Sequence, residues 1–228
     1  MSAAKPPTLE ALTVEAESKW LELFTAGPTE PEGIGLRGGT AAPDLALPDH
    51  TGANRSLSEF WADQPALLMS WRHFGCGCGV DRANRLLEEY PAYRAAGIMP
   101  VIVAQGEPAR AAAYRDQLGL PCPMLCDPDH AAYRAFGIGH WSVERVLYDA
   151  PVEFWTHPHD LGASFQDERR AGGRPLVDDP WRATAEFIIG TDGLVRLMHL
   201  YQYCDDYPEP LVLTAAARLA ENGVPAGT

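Results

Sequence analysis

Basic residues are scarce in this chain. Its 228 residues include 18 Lys and Arg against 31 Asp and Glu, which gives a formal net charge of −13. A surface of this sign repels polyanions, whereas proteins that bind nucleic acid or anionic membranes need a basic surface. We therefore predict that the protein binds neither nucleic acid nor membranes.

The sequence also has no long apolar run. No stretch approaches the roughly 18 apolar residues that span a bilayer. Residues 1–7, with the sequence MSAAKPP, lack the apolar core of a signal peptide. From these two absences we predict a soluble protein of the cytoplasm.

Cysteine is sparse as well, with five residues in the chain. Five cysteines at irregular spacing are too few for the disulfide framework of a secreted protein, and an odd number leaves at least one unpaired. In a reducing compartment such cysteines are candidates for catalysis, redox chemistry or metal binding. They are Cys76, Cys78, Cys122, Cys126 and Cys204.

Length and apolar content predict one main domain. A chain with 46% hydrophobic residues can bury one good core, which we assign to residues 41–228. Apolar residues at helical spacing predict a helix over 8–24, so that residues 1–40 form an N-terminal helix and a linker. The linker carries the glycine pattern of a dinucleotide fingerprint at 33–38. No strand precedes that pattern, so we predict a flexible linker and no nucleotide site.

Strand and helix patterns alternate through the middle of the chain, which is typical of a parallel α/β sheet. An Asp-Gly turn at 192–193 then predicts an antiparallel hairpin over 185–200. The sequence predicts buried strands at 66–71, 98–104 and 124–126, a helix after each of them, and a closing helix at 211–219.

Periodicity fades over residues 139–183, a stretch longer than an ordinary loop. We predict an insertion there, with a helix near 142–147. Its aromatic residues are expected to form a lid over the site or a dimer contact. The segment His157-Pro-His159-Asp160 contains metal-ligand residue types, but we interpret it as a solvated loop.

The most informative stretch joins the first buried strand to a glycine-rich turn with two cysteines. Val80 and the apolar residues after it recur at helical spacing, so Cys76 and Cys78 fall at or just before a helix N-terminus. The free N–H groups and the dipole of a helix N-terminus favour the thiolate form. Arg72 and His73 can add positive charge beside it.

Cys-Gly-Cys closes a smaller ring than Cys-x-x-Cys, and a strained disulfide is easily reduced. The two cysteines are therefore predicted to form a working redox couple. Two alternatives are packed, inert thiols and a zinc or copper(I) site. His73 either lowers the thiol pKa and moves protons or is a strand-end histidine bonded to the backbone. Arg72 either faces the thiolate or pairs with an acid.

The order of these elements resembles the thioredoxin fold, and more closely the peroxiredoxin-like redoxins of the alkyl-hydroperoxide-reductase and thiol-specific-antioxidant superfamily. The resemblance implies an α/β fold with a central mixed sheet flanked by helices, an N-terminal helical extension and an insertion before the last hairpin. The matching pieces are residues 42–52, 56–60, 72–76 (RHFGC), 126–129 (CDPD) with Tyr133 and 136–137, and 187–193 (FIIGTDG).

By this resemblance Cys76 occupies the position of the nucleophile that attacks a peroxide or a disulfide, and Cys78 resolves the product. The family's active-site arginine corresponds to Arg182. His73 and Met69 stand where peroxide-reducing members carry Thr or Ser and a proline. Independently of the resemblance, Cys126 is an alternative to Cys78 as the resolving cysteine. It ends a predicted parallel strand, and the carboxyl ends of parallel strands meet at one edge of a sheet, where the cysteine turn also lies.

We predict an antioxidant-type thiol oxidoreductase without a cofactor or metal. It would act on a small peroxide or disulfide, be regenerated by a thiol protein or a low-molecular-weight thiol, and be able to form a homodimer. Cys122 and Cys204 are interpreted as structural thiols. The alternatives are a thioredoxin-fold metal or sulfur carrier and a redoxin recruited to a biosynthetic pathway.

Overall fold

The computed structural model describes residues 9–221, which form a central sheet, a small two-stranded sheet and eight helices. The strands are β1 (Ala46–Pro48), β2 (Asn54–Ser56), β3 (Ala66–Ser70), β4 (Met99–Ala104), β5 (Met124–Cys126), β6 (Ala185–Ile189) and β7 (Val195–Leu200). The helices are α1 (Leu9–Ala26), α2 (Gly77–Ala95), α3 (Pro108–Leu118), α4 (Ala131–Ala135), α5 (Val143–Val146), α6 (Val152–Thr156), α7 (Pro158–Ala171) and α8 (Pro210–Glu221).

The central sheet has the order β5-β4-β3-β6-β7. Strands β3, β4 and β5 are parallel, while β6 is antiparallel to β3 and β7 is antiparallel to β6. Two reversals make β7 run parallel to β3, so the carboxyl ends of these two strands lie at the same edge of the sheet. The predicted mixed sheet flanked by helices is confirmed.

Strand β3 lies in the middle of this sheet, and all five of its residues are buried. Alternate side chains point to opposite faces of a strand. Leu67 and Met69 accordingly pack into one apolar cluster, and Ala66 and Leu68 pack into another. Because both faces of β3 are covered, its carboxyl end is a rigid support for the turn that follows.

The predicted flexible linker differs from the structure, because the chain around residues 31–38 is held against the main domain. The Gly35 N–H donates to the Gly137 carbonyl over 3.0 Å, and the His140 N–H donates to Pro31 over 3.2 Å. A Cβ on Gly33 would lie 2.1 Å from the Gly137 oxygen. Glycine is therefore required for this backbone approach rather than for flexibility.

The insertion contains the three helices α5, α6 and α7. The predicted solvated loop at 157–160 is wrong in part, since α7 begins at Pro158; proline suits the first helical position, where its missing N–H is not needed. His159 and Asp160 are nevertheless exposed, with side-chain exposures of 67% and 79%.

The aromatic residues of the insertion divide into two groups. Trp141 and Trp181 are buried, and Trp181 stacks on Phe24 of α1 with ring centroids 5.5 Å apart. Tyr148 and Trp155 remain exposed. The homodimer contact expected from these aromatics stays a prediction. Within residues 9–221, no helix combines the length and apolar content that a membrane crossing needs.

Candidate active site

The cysteine turn is built at the carboxyl end of β3. Cys76 is the residue just before α2, with extended backbone angles of φ −61° and ψ 136°. Gly75 makes the preceding bend with φ +85°, and a Cβ there would lie 2.2 Å from the Pro175 carbonyl oxygen. Only glycine accepts both the positive φ and this close contact, so the local sequence determines where the first cysteine lies.

Three cysteine sulfurs meet at this turn. The Sγ atoms of Cys76 and Cys78 are 2.7 Å apart, and the Sγ atoms of Cys76, Cys78 and Cys204 all lie within 4.8 Å of one another. A disulfide closes at about 2.05 Å, so Cys76 and Cys78 can join with a small movement. Cys78 is buried, whereas Cys76 and Cys204 are partly exposed.

Cys204, which the sequence led us to interpret as a structural thiol, lies in the same sulfur cluster as the two cysteines of the turn. Cys204 lies four residues after the end of β7 at Leu200, and β7 ends at the same sheet edge as β3. The loop is held there because the Tyr207 hydroxyl donates to the Cys78 carbonyl over 3.0 Å. The hairpin predicted from the sequence indicates that Cys204 follows the end of a strand. Only the pairing of β6 with β3 brings the loop after that strand to the cysteine turn.

The surroundings of Cys76 favour its thiolate. Hydrogen bonds from Cys204, then from Cys78 and His73, hold the pKa of the Cys76 thiol well below its ordinary value against the opposing effect of burial. A different hydrogen bond, between Cys78 and Cys204, is the largest cause of the Cys78 pKa being raised well above its ordinary value. Contact with Cys76 raises the pKa of Cys204. One acidic thiol thus lies beside two neutral thiols.

Arg72 is a buried cation in contact with this cluster. Burial acts to lower its pKa, but the interactions with the cysteines at positions 204, 76 and 78, including a hydrogen bond to Cys76, raise it more strongly, so the net shift is upward. Its guanidinium donates to the Arg182 carbonyl over 2.7 Å and lies 4.7 Å from the ring centroid of Trp141. Arg72 thus faces the sulfurs, and no acid competes for it among its described contacts.

His73 contacts both the backbone and the Cys76 thiol. Its Nδ1 atom is 3.2 Å from the Phe74 carbonyl oxygen, as for a strand-end histidine bonded to the backbone. The same side chain hydrogen-bonds to Cys76 and lowers the pKa of that thiol. The ring is 5% exposed, so this contact is sheltered from water.

The structure does not bring Cys126 to the cluster. Strand β5, which ends at Cys126, is separated from β3 by β4. The Cys126 side chain is fully buried, and burial raises its pKa to about 12. Burial has the same effect on Cys122, with a pKa of about 12. Neither thiol belongs to the group of sulfurs around Cys76, which is the position that resolving its oxidised form requires.

The Arg182 guanidinium also lies away from the sulfurs. It forms an ion pair with Glu30 and donates to His130 Nδ1 over 3.1 Å, while burial lowers the pKa of His130 to about 4. Its carbonyl oxygen, rather than its charge, reaches the site by accepting the hydrogen bond from Arg72. Arg182 therefore positions Arg72, and it is Arg72 that supplies the positive charge beside the cluster.

An open cavity of about 220 Å³ adjoins the cysteines. Helix α1 contributes Trp20 and Phe24 to its wall, and the insertion contributes Leu147 and Phe165. Cys76, Cys204, Arg72 and His73 line the same cavity. A second cavity of about 160 Å³, beside Tyr114 and Leu118, also reaches Cys76. Small molecules can therefore approach this sulfur.

Replacing Cys204 by alanine is expected to shift the alkylation profile of Cys76 to higher pH. The largest cause of the low Cys76 pKa is the hydrogen bond from Cys204, and alanine cannot donate it. The measurement is the rate of Cys76 carboxamidomethylation across a pH series, followed by mass spectrometry. Cys122→Ala, which removes a distant buried thiol, should leave the midpoint unchanged. An unchanged midpoint in Cys204→Ala would refute the assigned contact.

The model of the AhpC/TSA family matches residues 39–198, which is more than half of the chain and includes the cysteine turn. The chain belongs to the AhpC/TSA family. This result confirms the resemblance to the alkyl-hydroperoxide-reductase and thiol-specific-antioxidant redoxins, a family of peroxiredoxin-like thiol oxidoreductases.

Relatives of this AhpC/TSA protein are distant. It is 28% identical over 109 residues to the chloroplastic thioredoxin-like protein AAED1 of Arabidopsis thaliana, a match covering 48% of this chain and 44% of that protein. It is 29% identical over 118 residues to a Mycobacterium tuberculosis protein provisionally named as a peroxiredoxin, covering 52% of this chain and 73% of the relative. The chain thus spans less than half the length of the first relative. The cytoplasmic location stays a prediction.

Solved structures of other proteins have the same fold as this AhpC/TSA protein. Peroxidoxin BcpB from Mycobacterium tuberculosis superposes with a TM-score of 0.58 at 17% identity, covering 80% of this chain and 97% of that one. A thiol peroxidase from Chromobacterium violaceum gives 0.53 at 16% identity, covering 83% and 91%. At these identities the similarity establishes the thioredoxin-like fold alone.

Proposed function

We propose that this AhpC/TSA protein reduces a peroxide through a redox couple of Cys76 and Cys78. The proposal is supported above all by one observation, an acidified sulfur 2.7 Å from a second thiol and open to a cavity. A thiolate is the reactive form of cysteine, and a second thiol within reach can resolve its oxidised product.

In the proposed reaction the Cys76 thiolate attacks one oxygen of the peroxide and the O–O bond breaks. The other oxygen leaves as an alcohol or as water after taking one proton, and Cys76 becomes a sulfenic acid. The Cys78 thiol then attacks the Cys76 sulfur, forming the disulfide and releasing water. The two thiols have given two electrons to the peroxide.

Return to the dithiol requires an external thiol, either a reductant protein or a low-molecular-weight thiol. Its sulfur attacks the Cys76–Cys78 disulfide, which forms a mixed disulfide and frees one cysteine thiol. A second reductant thiol then attacks the mixed disulfide, which frees the other cysteine thiol and releases the reductant as its disulfide. A small disulfide substrate would be handled by the same exchange chemistry at Cys76, without a sulfenic acid. We favour a peroxide as the substrate because the chain belongs to the AhpC/TSA family, and the cavity gives a small molecule access to Cys76.

Arg72 and His73 are assigned supporting roles in this proposal. The buried Arg72 charge stabilises the thiolate. His73 hydrogen-bonds to Cys76, and as it occupies the position of the family's Thr or Ser we propose that it orients the peroxide. Cys204 replaces Cys126 as the alternative resolving cysteine, because its sulfur is near and that of Cys126 is not. We assign no contact with substrate to Arg182.

Mass spectrometry after one equivalent of hydrogen peroxide tests the couple. The expected product is a disulfide linking Cys76 to Cys78. In Cys78→Ser, Cys76 should be found bridged to Cys204 or trapped as the sulfenic acid. A wild-type product in which Cys76 stays a free thiol would overturn the proposal. A Cys76–Cys204 bridge as the main wild-type product would overturn the assignment of Cys78 as the resolving residue.

A further inference from the structure

The cluster of three sulfurs has a geometry that simple redox chemistry does not require. A peroxide cycle uses at most two thiols of the protein, yet the Sγ atoms of Cys76, Cys78 and Cys204 lie mutually within 4.8 Å. Within residues 9–221 this is the one group of three or more His, Cys, Asp or Glu side chains arranged to hold a metal ion. The third sulfur comes from a loop more than a hundred residues away in sequence.

The separations suit a thiophilic ion. Zinc binds thiolates at about 2.3 Å in tetrahedral geometry, which places neighbouring sulfurs about 3.8 Å apart. To bind zinc, the Cys76 and Cys78 sulfurs, now 2.7 Å apart, would have to separate by about 1 Å. Because all three sulfurs lie within 4.8 Å of one another, any pair that is now too far apart would have to approach by no more than about 1 Å. Side-chain rotation alone supplies such movements. Three thiolates leave a fourth position, and the cavity lined by Cys76 and Cys204 has room for a water or small ligand there.

The charge of the site selects the kind of ion. Three thiolates carry three negative charges, and Arg72, 5% exposed and in contact with the sulfurs, supplies one positive charge. A divalent cation brings the total to zero, whereas a monovalent cation leaves one negative charge uncompensated. Unpaired buried charge is costly. The site therefore matches a divalent ion of the zinc class better than copper(I).

The ligand loop is fixed independently of any ion. The Tyr207 hydroxyl donates to the Cys78 carbonyl, and its ring lies 5.1 Å from the Arg85 guanidinium carbon. The Gln202 N–H donates to the Asp206 carboxylate over 2.8 Å, and His199 Nε2 lies 2.6 Å from the Asp206 carbonyl oxygen. These contacts hold Cys204 in place, so the protein does not have to order a loop when an ion binds.

We propose that the reduced protein binds one divalent ion of the zinc class through Cys76, Cys78 and Cys204. Binding occupies the sulfurs that the proposed peroxide cycle uses, so the metal-bound and redox-active forms exclude one another. This site stands on the three-sulfur geometry and does not depend on the protein being a peroxidase.

Anaerobic titration of the reduced full-length protein with cobalt(II) tests the proposal, because cobalt(II) replaces zinc and its spectrum reports thiolate ligands. We expect one equivalent of ion per chain, with thiolate-to-cobalt charge-transfer absorption that disappears when zinc is added. Cys204→Ala should lose about one third of that absorption and bind at least about 100-fold more weakly, beyond the 10–100-fold effects typical of residues outside the ligand set.

The matched control is Cys122→Ala, which removes a thiol outside the cluster and should bind cobalt(II) like the wild type; circular dichroism checks that both variants are folded. Absence of thiolate-to-cobalt absorption in the wild type, or equal affinity in Cys204→Ala, would overturn the proposal. Since the readout is binding alone, a protein that consumes peroxide but binds no ion refutes the metal site and leaves the proposed function intact.

Discussion

Replacing Cys76 by serine is expected to lower peroxide consumption by at least about a thousandfold. A serine hydroxyl stays protonated near neutral pH and is a weak nucleophile, so loss of the attacking thiolate removes the covalent step. We expect none of the remaining cysteines to replace it. The pKa of Cys78 is raised by its hydrogen bond with Cys204 and by burial, both of which remain in the variant, and Cys122 and Cys126 are fully buried.

Peroxide loss with dithiothreitol as the reductant measures this effect without the physiological reductant. Cys122→Ser serves as the control for a Cys-to-Ser change outside the cluster, and circular dichroism verifies the fold of both variants. Activity of Cys76→Ser within tenfold of the wild type would refute the nucleophile assignment. If the wild type itself consumes neither hydrogen peroxide nor organic hydroperoxides, the proposed peroxide reduction is refuted, and disulfides become the substrates to test.

Replacing Arg82 by alanine is expected to destabilise the fold by about 3–5 kcal/mol, the usual cost of breaking a buried ion pair by removing one partner. Arg82 lies on α2, and its side-chain exposure is 7%. Its Nε atom is 2.7 Å from Glu186 on β6, and its Nη1 atom is 3.1 Å from Glu89. The substitution leaves Glu186, with 1% side-chain exposure, without its cation.

Urea unfolding measures the change in the free energy of unfolding. The control is Arg145→Ala, since Arg145 pairs with Glu32 where their side chains are 33% and 46% exposed; that loss should stay below about 1 kcal/mol. Similar small losses in both variants would show that the buried pair contributes little. Because this pair joins α2 to β6, a large loss would mean that it helps to hold the helix carrying the cysteine turn.

The hydrogen-bond network of Arg182 links the site to parts of the chain that look unrelated in sequence. Glu30, from the segment after α1, pairs with Arg182, and the Arg182 carbonyl accepts from Arg72. Helix α1 also supplies Trp20 and Phe24 to the cavity wall. The N-terminal region therefore takes part in building the site, although none of these three residues belongs to a catalytic motif that the sequence reveals.

The sequence by itself determined the local structure of the reactive centre. The apolar run of β3, Gly75 and the helical spacing after Val80 act over neighbouring residues, so they place Cys76 at the start of α2 without reference to the rest of the chain. The order of strands and helices was readable for the same reason, because periodicity and turn residues are local properties.

Only the tertiary structure decided which distant residues join that centre. Pairing of β6 with β3 brings Cys204 to the sulfur cluster, and the position of β4 between β3 and β5 keeps Cys126 away. The Arg182 guanidinium forms an ion pair with Glu30, and it is the Arg72 guanidinium that contacts Cys76. Strand order and side-chain partners depend on packing between segments far apart in sequence, and one sequence carries no direct record of those contacts.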